Sequence, residues 1–247
     1  ASAGDFNGDG YPDIIVGARY AAPSGKAFVY YGGPSLDATP DVTLTGESMA
    51  TWFGSSVASA GDVNGDGFDD VIVGAPIYGS QAGRVYAFFG GSTPDAIPDR
   101  VFTGLNAGDQ LGWVVGGAGD MNGDGYPDVF ATAPRYYAGG TNPGAIYVWF
   151  GGPAFDTVAD LTIQGSVLND RIGSAVIASD VDDDGFSDLV ITRQDRAEVF
   201  LGGSSPNAVP DLTISGGFGA FEILKASHEI EQAHRQDDTE VREHDLE

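Results

Sequence analysis

Four stretches of this 247-residue sequence place acidic and amide side chains at alternate positions of a short, glycine-bearing run. They read GDFNGDGYPD from Gly4, GDVNGDGFDD from Gly61, GDMNGDGYPD from Gly119 and SDVDDDGFSD from Ser179. Counting from the first Asp, positions one, three and five turn side-chain oxygens to one side of a tight loop. A glycine at position six permits the bend. Position seven offers its carbonyl, and position nine adds a carboxylate. A hard cation such as Ca²⁺ takes six to eight oxygens at about 2.3–2.6 Å, which is what this spacing supplies. The expected ligands are Asp5, Asn7, Asp9, the carbonyl of Tyr11 and Asp13 in the first loop, and Asp62, Asn64, Asp66, Phe68 and Asp70 in the second. In the third they are Asp120, Asn122, Asp124, Tyr126 and Asp128, and in the fourth Asp180, Asp182, Asp184, Phe186 and Asp188. Up to four Ca²⁺ ions are expected as cofactors.

An isolated motif of this kind also reads as an ordinary Asp-Gly turn. Four copies, with thirteen Asp at their ligand positions, call for counter-charge, because carboxylates crowded into nine residues repel one another. The fourth loop carries a further acid, Asp183, where the others have glycine, and this should strain its turn. The loops are not EF-hands. Position twelve, where a bidentate Glu belongs, is Val16, Val73, Ala131 or Ile191.

The formal net charge is −25, and four divalent cations would bring it to −17 (−25 + 8). That balance excludes nucleic acid as a partner. No run is long and apolar enough for membrane insertion. There is no Cys, so metal rather than disulfide would be the staple. No catalytic constellation is present: the three His (His228, His234, His244) all lie in the tail, and no nucleophile elbow or phosphate loop occurs. The expectation is a protein that is not an enzyme.

The elements that must hold these loops repeat with them. The leading Asp residues are 57, 58 and 60 positions apart. After each loop come an apolar run, an aromatic alternating run ending in Gly-Gly (AFVYYGG, VYAFFGG, IYVWFGG, EVFLGG), and a short segment such as DVTLTG or DLTIQG. Before it comes FGSSVASAGD or its equivalent. Each element has strand length and strand composition, and nothing has helical period before residue 220. Four strands per period of about 58 residues predict an all-β chain, a β-propeller with one four-stranded blade per repeat. Repeats are expected near 1–46, 47–104, 105–165 and 166–216, with a closing strand at 217–222 inside a propeller domain of 1–222. Residues 223–247 form a charged tail, helical or disordered.

The run FGSSVASAGDVNGDGFDDVIVGAP at 53–76 resembles the FG-GAP repeat of the integrin α-subunit propeller and its bacterial relatives, and the resemblance covers roughly residues 1–222. It implies calcium-binding loops between the first and second strands of each blade. It also implies an extracellular or cell-surface setting and a role in cell adhesion. That family closes rings of seven blades, whereas four repeats stand here. FGAFE at 218–222 has the spacing of the half that the first repeat lacks. Closure within one chain, a fragment of a larger propeller, and a homo-oligomer assembled through incomplete blade edges all agree with that register.

In an up-and-down blade the calcium loops share one rim with the loops joining strands three and four. The opposite rim would gather Arg19, Tyr20, Trp52, Tyr78, Arg135, Tyr136, Tyr137 and Arg193, on loops of unequal length, with Arg171 nearby. Variable loops on a fixed scaffold carry binding, and Arg and Tyr anchor interfaces. The expected function is a calcium-stabilised module that recognises an extracellular protein or matrix ligand through this rim. The alternatives are a carbohydrate-binding propeller that takes a glycan ligand, or a structural piece of a larger surface protein. Sugar platforms would repeat one aromatic in every blade, yet Trp52 aligns with Gln110 and Arg171, and Trp113 with Ser55 and Ser174.

Overall fold

The computed structural model describes residues 1–35, 37–48, 51–136, 143–165, 172–173, 175–193 and 195–216. Among these residues sixteen strands fall into four antiparallel sheets of four, each in simple sequential order. Blade 1 is β1 (Ser2–Gly4), β2 (Asp13–Ala18), β3 (Lys26–Tyr30) and β4 (Val42–Thr45). Blade 2 is β5 (Ser56–Gly61), β6 (Asp70–Ala75), β7 (Arg84–Phe88) and β8 (Arg100–Thr103). Blade 3 is β9 (Val115–Gly119), β10 (Asp128–Ala133), β11 (Ala145–Trp149) and β12 (Leu161–Gln164). Blade 4 is β13 (Val176–Ser179), β14 (Asp188–Thr192), β15 (Arg196–Phe200) and β16 (Leu212–Ser215). Among the described residues almost no helix interrupts them. A single turn, α1 (Tyr78–Gln81), is left-handed at Gly79, Ser80 and Gln81 (φ 54°, 57° and 65°). The architecture is a β-propeller of four-stranded blades. The inner strand β5 lies against β1 and β9, and β9 against β13.

Strand alternation sends successive side chains to opposite faces of a blade, so neighbouring blades meet through apolar faces. Ile15, Val29 and Leu44 of blade 1 meet Val73, Tyr86 and Phe88 of blade 2 in one buried layer. Ile72, Ala87 and Phe102 of blade 2 meet Ala131, Tyr147 and Trp149 of blade 3. Phe130, Val148 and Ile163 of blade 3 meet Leu189, Ile191 and Phe200 of blade 4. Each fully buried side chain of this size contributes about 1.5–3 kcal/mol. The core is therefore a series of layers between blades.

The FG dipeptide clips one blade to the previous one. Phe53 is fully buried, and its amide donates to Ser24 O at 3.3 Å. The matching Leu111 amide donates to Ala82 O at 3.0 Å. Both clips form parallel bridges, Gly25 with Phe53 and Gly83 with Leu111. The segment expected to close the ring, 217–222, and the tail at 223–247 lie outside the described residues.

Candidate metal centres

Every acidic loop joins the first strand of a blade to the second, the connection expected from the sequence. Within each loop the side-chain oxygens hold the loop's own backbone. Asp5 accepts from the amides of Asp9 (Oδ1, 2.9 Å) and Gly10 (Oδ2, 2.9 Å). Asn7 Oδ1 accepts from Asp9 N at 2.9 Å, and Asp9 Oδ1 from Tyr11 N at 2.9 Å. Asp62, Asn64 and Asp66 repeat this pattern, as do Asp120, Asn122 and Asp124. Asp180 and Asp184 keep the same bonds in the fourth loop.

The position-nine carboxylate does more than the sequence reading gave it. Asp13, Asp70, Asp128 and Asp188 are all buried. One oxygen of each accepts from the amide at loop position two: Phe6, Val63, Met121 and Val181, at 2.9, 3.0, 2.8 and 2.7 Å. The other accepts from the first glycine of the Gly-Gly pair: Gly32, Gly90, Gly151 and Gly202, at 2.7, 2.8, 2.9 and 2.7 Å. This one side chain ties the acidic loop to the end of the third strand. The Gly-Gly that closes every third strand was the available signal.

Burial pushes Asp70 and Asp128 up to about 7 and Asp188 up to about 6, against the lowering effect of those amide bonds. Asp13 is raised for the same reason. Among the described residues no loop carboxylate pairs with a basic side chain: the ion pairs are Arg84–Glu47, Arg193–Glu198, and Arg196 with Asp195 and Glu198.

The fourth loop differs at position three. In the first three loops an Asn there donates Nδ2–H to the Asp at position five, at 3.0, 2.9 and 3.0 Å. Asp182 has no hydrogen to give. Its Oδ1 is buried without a hydrogen-bond partner, and burial, followed by the charge of Asp184, raises its pKa. Carboxylate oxygens of Asp180, Asp182 and Asp188 lie within 4.8 Å of one another. Three converging carboxylates, one of them carrying an orphaned oxygen, fit a hard cation. Asp183 takes φ 62°, close to the 73°, 77° and 74° of Gly8, Gly65 and Gly123, so the expected strain is present in the backbone.

On the opposite rim the predicted residues form separate groups. Arg19 lies over the Tyr20 and Trp52 rings, with its guanidinium carbon 4.7 and 5.1 Å from their centroids, and Tyr20 is largely exposed. Tyr78 is stacked beneath Arg84 at 3.8 Å. Arg135 is exposed, while Tyr136 packs edge-on against Tyr147. Tyr137 and Arg171 lie outside the described residues. Arg193 is the correction. It is buried, and its Nε donates to Glu198 Oε2 at 2.6 Å, so it does not present itself to a ligand. Glu198 stands in the strand slot that Tyr86 and Tyr147 fill in other blades, and a charge in that slot requires a buried partner. That mismatch was legible in the sequence.

The FG-GAP repeat family model matches residues 1–30, 53–88 and 111–149. Integrin alpha-5 of Xenopus laevis is 33% identical over 183 residues, covering 68% of this chain and 17% of that protein. Integrin alpha-IIb of Mus musculus is 34% identical over 179 residues, 66% of this chain and 17% of that protein. Integrin alpha-8 of Mus musculus is 28% identical over 231 residues, 86% of this chain and 21% of that protein. The matched stretch thus spans about a fifth or less of each of these relatives.

Proposed function

Because this chain is an FG-GAP repeat protein similar to integrin α subunits, we propose that it is a calcium-stabilised extracellular binding module that recognises a protein or matrix ligand through the rim opposite its acidic loops. The observation that carries the calcium reading is the orphaned Asp182 Oδ1 within the Asp180, Asp182 and Asp188 cluster. In each loop the side chains at positions one, three, five and nine and the carbonyl at position seven would hold the ion. The bound ion would supply the positive charge that no Lys or Arg supplies there among the described residues. Extracellular calcium modules bind with Kd of about 10⁻⁴–10⁻³ M. At about 1 mM Ca²⁺ and a Kd of about 0.1 mM, each site stabilises the fold by about 1.4 kcal/mol. Sites of that affinity fill outside a cell and stay empty at cytosolic calcium.

The ligand reading rests on the groups at Arg19, Tyr20 and Trp52, at Tyr78, and at Arg135 and Tyr136. Their aromatic rings and guanidinium groups offer stacking and forked hydrogen bonds. No helix among the described residues is long and apolar enough to cross a membrane. Binding of the immobilised protein to purified matrix proteins in about 1 mM Ca²⁺ tests this. The double substitution Arg135→Ala, Tyr136→Ala should weaken capture and leave calcium-dependent melting intact. Capture that survives it, and survives Trp52→Ala as well, assigns the ligand to another surface.

A further inference from the structure

The junction between blades 2 and 3 lacks a pair of charged side chains that its neighbours carry. The third strands of blades 2, 3 and 4 open with Arg84, Ala145 and Arg196, and two residues on stand Tyr86, Tyr147 and Glu198. Arg84 reaches across the junction with blade 1 to Glu47 at 2.6 Å, and both groups act on the Tyr86 hydroxyl. In blade 4 the two slots pair with each other, Arg196 to Glu198 at 2.8 Å. Between blades 2 and 3 the residues matching Arg84 and Glu47 are Ala145 and Leu105. Neither carries a charge, and Ala145 is too short to cross. A cavity of about 340 Å³ lies at this junction. Leu105 and Leu111, on the segment linking the two blades, line it with Tyr147, Trp149 and Thr162 of blade 3 and with Val158. Leu105 and Val158 are exposed, whereas Leu111, Tyr147 and Trp149 are buried, so the cleft runs from the surface into the core. Its volume falls within the range of about 300–1,000 Å³ usual for small-molecule sites.

The aromatic wall of this cleft carries polar atoms that packing does not require. Trp149 stands where blades 2 and 4 have Phe88 and Phe200. Its ring stacks on Tyr147 at 5.9 Å and packs against Phe102 at 4.4 Å. A phenylalanine would bring an aromatic ring to the same place without an N–H. Trp149 Nε1 and the Tyr147 hydroxyl are both buried with no hydrogen-bond partner among the described residues. The Tyr86 hydroxyl is orphaned too, but there Arg84 and Glu47 occupy the junction. Burial, then Tyr136 and Asp109, raises the pKa of Tyr147, so its hydroxyl stays protonated. Both orphaned atoms therefore carry a hydrogen to give, and a buried donor without an acceptor costs stability that an arriving acceptor returns.

We propose that the cleft between blades 2 and 3 binds a small, neutral aromatic compound bearing a carbonyl oxygen. Its ring lies against Tyr147 and Trp149, and its oxygen accepts from Trp149 Nε1–H and the Tyr147 hydroxyl. The flat wall selects a flat ligand. No Lys or Arg lines the cleft, so a carboxylate would enter it unpaired. A cation would meet donor hydrogens instead of acceptors. This inference does not rest on the calcium reading or on the rim proposed for a protein ligand.

The test titrates the whole chain with Prodan, a neutral naphthyl ketone whose emission shifts to the blue in an apolar site. Saturable binding of one dye per chain is expected. Ala145→Arg with Leu105→Glu copies the charged pair of the first junction into the cleft and should abolish that binding. Trp149→Phe with Tyr147→Phe keeps the aromatic wall, removes both donors, and should weaken binding by about tenfold. The melting midpoint of that variant without dye should hold or rise, because each change removes an orphaned polar atom. Absence of saturable binding, or binding that either double substitution leaves unchanged, overturns the proposal. Should the charged pair prevent folding, the phenylalanine variant decides alone: weaker binding at an undiminished midpoint agrees, and unchanged binding overturns it.

Discussion

The first three acidic loops and the fourth follow one backbone path and handle their charge differently. With Asn at position three, Asn7, Asn64 and Asn122 each cross-link to the Asp two residues on, and that amide hydrogen relieves part of the carboxylate repulsion. With Asp182 there is no amide hydrogen to make that cross-link, one oxygen is left orphaned, and glycine is replaced at a left-handed position. The residue at position three thus decides whether the loop carries this amide cross-link or an orphaned oxygen. The fourth loop should be the more calcium-dependent of the two kinds.

Calcium removal is the largest expected effect. Four sites at about 1.4 kcal/mol each sum to about 5–6 kcal/mol, comparable to the whole stability of a typical domain. Excess chelator should lower the melting midpoint steeply from its value in about 1 mM Ca²⁺, and blade 4 amides should open first by hydrogen exchange. An unchanged midpoint would remove calcium from the account, and blade 1 opening before blade 4 would reverse the comparison.

Next comes Gly65→Val. A Cβ there meets the Tyr126 ring at 2.5 Å, at φ 77°. Overpacking and a disfavoured backbone together should cost about 2–4 kcal/mol in chemical denaturation. A loss under about 0.5 kcal/mol would show that the junction between blades 2 and 3 yields easily.

The acid response should differ with and without calcium. Asp70 and Asp128 are raised to about 7 and Asp188 to about 6 in the metal-free fold, above the unfolded value of about 3.9. A carboxylate raised on folding contributes stability that is present below the unfolded pKa and is lost as pH rises through the folded one. In chelator, then, the contribution of these groups to the midpoint should grow as pH falls from about 8 toward 5. In calcium the cation favours the ionised form, so the two midpoints should converge over the same range. Parallel curves would show that these carboxylates do not sense the ion.

The smallest effects isolate the fourth loop. Asp183→Gly removes a left-handed non-glycine residue and should stabilise the protein by about 1 kcal/mol in chelator. Asp182→Asn restores the amide cross-link and should raise metal-free stability by about 0.5–1 kcal/mol while weakening calcium binding at that loop alone. If Asp182→Asn destabilises the metal-free protein, the orphaned oxygen is not a source of strain.

The sequence made the blades readable because strand period, loop chemistry and Gly-Gly punctuation repeat together four times, each confirming the register of the others. Two kinds of feature escaped it. The tie from Asp13 to Gly32, and its three repeats, joins residues 14 to 23 positions apart, which loop spacing alone does not pair. The inward turn of Arg193 depends on Glu198 across a hairpin. The exposed groups at Arg19 and Arg135 were placed by counting strands, which fixes a rim but not which side chains gather on it. The glycines at loop position four were legible as part of the motif, but not as sockets for the next blade's ring, because that contact spans about one whole repeat.

The decisive quantity is bound calcium per chain, counted by metal analysis after equilibrium dialysis. A value approaching four is expected at saturating calcium, falling by one with each of Asp62→Ala and Asp120→Ala. A chain that retains no calcium at millimolar concentration, or whose calcium is unaffected by both substitutions, contradicts it.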